Sequence, residues 1–276
     1  MFELPEYTNF VKQMNQTIRG KTVSSGEQGN SLHKFVWYNR THEEFATLTA
    51  GKKVGEAYSR GRWLFIPLEP GYVLVFGECG GKLLYHAPGE ELPEKYHLLI
   101  RFEDGSALSA FTQMWGAMEL YGQGAELERQ CIKDMRVTPA DPAFTFTYFN
   151  NLIDELLQGP KRSAKSLLTQ DQLIPGLGNA IAQDILFRAR LGPRRPLAEL
   201  TPGMRKDLHA AILDTVRDVI AGGGRDDELD LFGNPGGYLR IMNSATAGKP
   251  CPDCGTAIQK MQYLGGACYF CPRCQQ

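Results

Sequence analysis

No stretch of the chain approaches the roughly 20 uncharged apolar residues that a membrane-spanning helix needs. The opening residues, MFELPEYTNF, carry glutamates and no apolar run, so they do not read as a secretory leader. A cytoplasmic protein is expected. An excess of one charge is also missing, with 30 Lys and Arg against 31 Asp and Glu and a net charge of −1. That excludes a basic tail, yet a basic face can coexist with an acidic back. One local run is basic: Arg188, Arg190, Arg194, Arg195, Arg205 and Lys206, with Glu199 as its acid. Internal repeats and low-complexity tracts are absent. The hydrophobic share of 42% and charged share of 22% are those of an ordinary globular chain, and 276 residues suffice for one or two domains.

Within these limits the chain falls into three regions. Residues 1–138 read mainly as β. Trp63–Leu68, Tyr72–Phe76 and Lys95–Phe102 are short runs rich in aromatic and branched residues, separated by turn signals such as Pro70-Gly71 and Asp104-Gly105. This spacing suggests a sandwich or barrel. A first helix is expected from Pro5 to Ile18, with Tyr7, Phe10, Val11, Met14 and Ile18 on one face. Residues 139–247 read as helical, with helices over 144–157, 163–173, 180–189 and 202–220. A loop rich in Gly, Asp and Asn follows over 225–247 and is expected to be partly mobile. Residues 248–276 form a third, small unit.

Seven cysteines are unevenly spread. Cys251-x-x-Cys254 and Cys271-x-x-Cys274, sixteen residues apart, have the spacing of a four-thiolate zinc site on a β-hairpin with Gly265-Gly266 at its tip. One structural Zn2+ is expected, because four thiolates leave no open position for catalysis and a 29-residue tail builds no core of its own. Cys79, Cys131 and Cys268 are expected to be buried, reduced side chains.

The segment Gln172-Leu-Ile-Pro-Gly-Leu-Gly-Asn-Ala-Ile-Ala is the most informative. Gly176 and Gly178 permit a tight turn, and Asn179 is placed to cap the following helix. The N–H groups at that helix start offer an anion site, and Lys161-Arg162 and the run after Arg188 supply cations for phosphate.

The stretch from Ala164 to Pro193 resembles the helix–two-turn–helix motif of the formamidopyrimidine-DNA glycosylase / endonuclease VIII family. The tail Cys271-Pro-Arg-Cys-Gln275 resembles that family's zinc finger, and Glu3-Leu-Pro-Glu6 its N-terminal signature. The matches occur in the family's order over nearly the whole chain. The resemblance implies an α+β protein: an N-terminal β-sandwich domain, then a helical domain carrying the zinc hairpin, with DNA in the cleft between them. It implies excision of a damaged base after the nucleotide is flipped out of the stack. On this reading the protein is a monomer, nucleoid-associated if bacterial.

Carried over by position, Glu3 matches the family's catalytic acid and Glu6 its second N-terminal acid. Asn179 and the backbone at Gly176 and Gly178 would hold phosphate. The departures are specific. Phe2 stands where the family has a nucleophilic proline, and its bulk favours retention of Met1. Arg62 replaces a phosphate-gripping lysine, Glu78 lies where a stack-filling methionine belongs, and Gln113 and Trp115 stand near the family's wedge. Gly266 replaces a phosphate-gripping arginine. His33 and Lys34, in Asn30–Phe35, are further lesion-contact candidates. The expected activity is glycosylase action with little or no strand cleavage, Glu3 activating water. The alternative is a catalytically inactive DNA-damage binding protein of the same fold.

Overall fold

The computed structural model describes residues 1–31 and 33–276, so position 32 of the Asn30–Phe35 stretch lies outside the described residues. The chain divides into two compact units. The first comprises Met1–Met135 and Gly222–Gly237, the second Arg136–Ala221 and Tyr238–Gln276.

The first unit opens with α1 (Leu4–Thr17) and then builds two sheets. The strands are β1 (Val23–Gln28), β2 (Val36–Trp37), β3 (Lys53–Val54), β4 (Tyr58–Arg60), β5 (Trp63–Glu69) and β6 (Tyr72–Gly77). They continue with β7 (Gly81–His86), β8 (Leu98–Phe102), β9 (Ala107–Thr112) and β10 (Gly116–Gly122). Helix α2 (His42–Thr49) lies between β2 and β3, and the short α3 (Gln130–Lys133) follows β10. One sheet has the order β1-β8-β9-β7; the other runs β2-β10-β6-β5-β3, with β4 also pairing β5. Apolar side chains of both sheets and of α1 form one core, including Phe10, Met14, Leu64, Phe76, Leu98 and Leu108. This is the β-sandwich the sequence implied.

Strand β5 explains why its run read as continuously apolar. Leu64, Ile66 and Leu68 face the main core, whereas Trp63 and Phe65 face a second cluster with Val73, Val75 and Ile132. Burial on both faces removes the polar alternation of a one-sided strand.

The second unit holds α4 (Phe146–Leu156), α5 (Ala164–Thr169), α6 (Asn179–Arg188), α7 (Pro202–Ala221) and the hairpin β11 (Gln259–Tyr263)–β12 (Gly266–Phe270). Helix α5 is shorter than the sequence pattern suggested. Asp171 and Gln172 take left-handed backbone angles (φ 54° and 47°), which break the helical ladder before Leu173. The hairpin turn is Leu264-Gly265, both left-handed, so Gly266 opens β12 rather than lying at the tip. The tail borrows its core: Cys251, Ile258, Tyr269 and Cys271 pack with Met242 and with Phe187 of α6.

Segment 222–237, which the sequence pattern continued into the helical region, packs with the first unit. Leu231 is fully buried in the sandwich core, and Arg225 in the same segment is also buried. It is a strap packed on the first unit through Leu231 and Arg225. Among the described residues no helix is long and apolar enough to cross a membrane.

Candidate active site and nucleic-acid contacts

At the start of α1 the chain places two acids on one buried corner. Glu3 and Glu6 are 3% and 4% exposed. Glu6 acts as a clamp: one oxygen accepts from Glu3 N at 2.8 Å, the other from Arg225 Nε at 2.9 Å and Arg225 N at 3.2 Å. Arg225 also lies 3.7 Å from a Glu3 oxygen and 3.2 Å from Glu228. Burial works to lower the Arg225 pKa, but the carboxylates of Glu6, Glu3 and Glu228 outweigh it and raise it. The guanidinium is a permanent charge that fixes where the acids sit. Nothing in the sequence marked Arg225, because its acid partners at the chain start lie over 200 residues away.

Phe2 is a core residue, packed edge-on to Tyr7 and Phe10, and its N–H donates to the Cys79 carbonyl at 2.9 Å. The Met1 amine donates to Glu228 at 2.8 Å. A Cβ at Gly80 would come within 2.5 Å of Met1 Cα, so only glycine leaves room for the chain start there. Burial pushes the Cys79 thiol up to about 12, so it stays neutral and is a poor nucleophile.

The replaced family positions are arranged as follows. Arg62 pairs with Glu78 at 2.9 Å, so the cation expected to meet phosphate is already neutralised by the acid of the neighbouring turn. Glu78→Gln should free it. Affinity for duplex DNA should rise several-fold at low salt, and the slope of log K against log salt should steepen by about 0.9. An unchanged slope in a salt titration would show that Arg62 meets no phosphate.

Trp115 is exposed, not a core residue. It stacks on Trp37 (5.7 Å between centroids, planes 8° apart) and touches Phe35 at 4.7 Å. Exposed Gln113 and Met114 precede it in the same turn, which Thr112 holds by donating to the Trp115 carbonyl at 2.5 Å. Behind the turn, His97 accepts from Thr112 N at 3.0 Å, and His33 packs 5.2 Å from His97. His33 thus packs beside a structural histidine, and Lys34 lies over the Phe35 ring.

In the second unit the Gly176–Asn179 segment, the expected phosphate loop, is a built turn. Gly176 has φ 92°, which favours glycine, and its N–H donates to the Gln172 side chain, which in turn donates to the Leu177 carbonyl. Gly178 is extended and is itself the N-cap, so Asn179 is the first helical residue rather than the cap. The Asn179 side chain donates to Ala267 of β12 at 3.1 Å. Gln183, one turn on, accepts from Tyr269 N at 2.6 Å. Asp184 is fully buried; its oxygens accept from Ile241 N, Met242 N and the Tyr238 hydroxyl at 2.7–2.9 Å, while burial raises its pKa. Lys161 is exposed.

Cys251, Cys254, Cys271 and Cys274 converge, with all four Sγ atoms within 4.8 Å of one another. Separations of 3.9 Å (Cys251–Cys274) and 3.5 Å (Cys254–Cys271) bracket the edge of about 3.8 Å that a tetrahedral site with metal–sulfur bonds of about 2.3 Å requires. The four residues fit a zinc-type ion. Cys79 and Cys268 are buried as expected; Cys131 is exposed, with its sulfur accepting from Arg129.

A β-sandwich unit followed by a helix–two-turn–helix unit with a four-thiolate hairpin defines the architecture of a class of DNA-repair glycosylases. Comparison with known proteins agrees for the first two of these parts. The model of the formamidopyrimidine-DNA glycosylase N-terminal domain matches residues 1–114, and that of the formamidopyrimidine-DNA glycosylase H2TH domain matches 136–228. The chain belongs to the formamidopyrimidine-DNA glycosylase family. It is 29% identical to the formamidopyrimidine-DNA glycosylase of Bacillus licheniformis over 285 residues, covering 100% of both chains. It is 27% identical to that of Chloroflexus aurantiacus, covering 100% of this chain and 98% of the relative. Among solved structures it resembles the Lactococcus lactis Fpg in complex with DNA containing an abasic site (TM-score 0.86, 23% identity, 99% of each chain). It also resembles the MutM (Fpg) protein of Thermus thermophilus (TM-score 0.81, 25% identity, 99% and 98% covered).

Proposed function

We propose that this chain is a DNA glycosylase that releases a damaged or modified base by water and leaves the strand uncut. The carrying observation is the contrast between positions 2 and 3: Phe2 is an internal core residue, while Glu3 is a buried carboxylate held in place by Arg225. Strand cleavage in this reaction class needs an amine that forms a Schiff base with the sugar; Phe2 offers none at the family's position, and the Met1 amine is engaged by Glu228. Hydrolysis needs only a carboxylate and water.

In the proposed step Glu3 takes a proton from water as its oxygen bonds to the sugar anomeric carbon. The C–N bond to the base breaks, its electron pair leaves with the base, and the proton taken up by Glu3 passes to the departing base, which returns Glu3 to its carboxylate form. The negative Glu3 also stabilises the cationic character that develops on the sugar. Arg225 and Glu6 hold Glu3 in position, so Glu6 is a positioning residue. In the second unit Asn179, the Gly176–Gly178 backbone and Lys161 grip phosphate; in the first, Arg62 meets phosphate once released from Glu78. Gln113 and Trp115 face the base stack. One structural zinc ion, held by Cys251, Cys254, Cys271 and Cys274, keeps the hairpin folded.

Single-turnover assays on oligonucleotides carrying oxidised, alkylated, deaminated and abasic sites test this. Strand breaks are expected only after hot alkali, with no adduct trapped by borohydride. Glu3→Gln should slow base release by about 10²–10⁴-fold with DNA affinity retained. Breaks without alkali together with a trapped adduct would overturn the hydrolytic mechanism. The low exposure of Glu3 favours a second reading, a non-catalytic DNA-damage binder. Tight binding with no base release across the panel would establish it.

A further inference from the structure

The second unit contains a cavity of about 450 Å³ between the end of α4, the 159–163 turn, the 194–199 segment and Tyr263 of the hairpin, and it shares Lys161 with the phosphate contacts proposed above. We propose that this cavity is a second binding site, for a nucleotide: a phosphoryl group presented beside a flat ring. None of its lining residues belongs to the first unit, where Glu3 lies, or to the Gly176–Asn179 loop.

Three cations line it, Lys161, Arg162 and Arg194, against one acid, Glu199. That acid is already engaged, lying 3.5 Å from Arg195. Arg162 pairs through one nitrogen with Asp171 at 3.0 Å. Among the described residues, Lys161 and Arg194 form no ion pair. A cavity with surplus positive charge suits an anion. The planar guanidinium fork matches the oxygens of a phosphoryl group.

The remaining walls argue against a bare ion. Leu156, Leu157, Pro196 and Leu197 are apolar. The Arg194 guanidinium lies 5.2 Å from the centre of the Tyr263 ring, a cation–π contact that presents a flat charged surface. Tyr263 is anchored by Lys165, whose buried ammonium donates to its carbonyl at 2.7 Å. An arginine plane over an aromatic ring is a surface on which a nucleobase stacks. The volume lies in the range of about 300–1,000 Å³ usual for small-ligand sites. The nucleotide can be free in solution or part of a DNA strand, and the two sources are distinguishable.

The test uses the full-length, metal-loaded chain. By calorimetry, deoxyadenosine monophosphate should bind saturably, with inorganic phosphate and deoxyadenosine at least about tenfold weaker. Arg194→Gln and Tyr263→Leu should each weaken it about tenfold or more. Circular dichroism and metal content confirm that the variants are folded. A second readout needs no variant: modification of Arg162 and Arg194 by phenylglyoxal, read by mass spectrometry, should be suppressed by the mononucleotide. If the mononucleotide neither binds nor protects, but Arg194→Gln weakens undamaged DNA binding with a salt slope shallower by about 0.9, the nucleotide belongs to a DNA strand. If mononucleotide binding, protection and the DNA salt slope are all unaffected, the proposal is wrong. Base release on the damage panel is scored separately, so failure of the glycosylase reading leaves this outcome legible.

Discussion

Arg225→Met should destabilise the first unit by about 3–5 kcal/mol and abolish any base release. The expected loss follows from what the guanidinium leaves behind. Glu3, Glu6 and Glu228 converge on it, and Glu3 and Glu6 are almost fully buried. Removing one partner of a buried ion cluster strands the others as uncompensated charge, which is where values of this size arise. The strap 222–237 is joined to α1 through Arg225–Glu6 and through the Leu231 N–H donated to Gln13. Losing the first contact loosens the strap as well as the acids. Denaturant unfolding gives the stability change, and the damage panel gives the activity. Arg225→Lys should recover part of the stability, because charge returns without the planar fork, but not the geometry of Glu3. A methionine variant as stable as the parent would show that the carboxylates are protonated or hydrated in solution, and the positioning role of Arg225 would fall.

The second large effect is expected at the four-thiolate cluster. Cys271→Ser should reduce bound metal from about one ion per chain to near none and unfold the hairpin. Structural zinc contributes on the order of 10–16 kcal/mol in small units of this kind. The damage spreads through α6, whose Asn179 and Gln183 are bonded to β12. Once β12 is lost, Asn179 loses its bond to Ala267 and with it the position proposed for its phosphate contact. Losing a contact to a charged group, worth about 1.5–3 kcal/mol, lowers DNA affinity by roughly 10–100-fold. Elemental analysis and fluorescence anisotropy on the same samples check both halves. DNA affinity that survives complete metal loss would separate the hairpin from DNA binding.

What was legible in the sequence depended on range. The thiolate pairs were readable because ligand spacing is a local property of the chain. The sandwich showed in runs such as Trp63–Leu68, whose two-sided burial makes them conspicuous. Arg225 was invisible, since its meaning comes from acids more than 200 residues away. Asp184 was equally hidden. It lies in a stretch of α6 buried from Ile181 to Phe187, so no polar face marks it as special. Trp115 was ambiguous from sequence, because an aromatic side chain in a turn serves core or surface equally well. Only its stacking on Trp37 places it outside. Helix α5 was overestimated because Asp171 and Gln172 carry no Gly or Pro signal for their left-handed angles.

The Trp37–Trp115 stack also gives the molecule a built-in optical signal. Trp63 is buried in the core and covered by the Arg129 guanidinium 4.3 Å from its ring. The other two indoles of the chain lie parallel and exposed at the edge of the larger sheet. Emission of this protein should therefore separate into a shielded, blue-shifted component and a solvent-facing pair. Anything that lies flat on that pair quenches the red part of the spectrum and leaves the blue part intact.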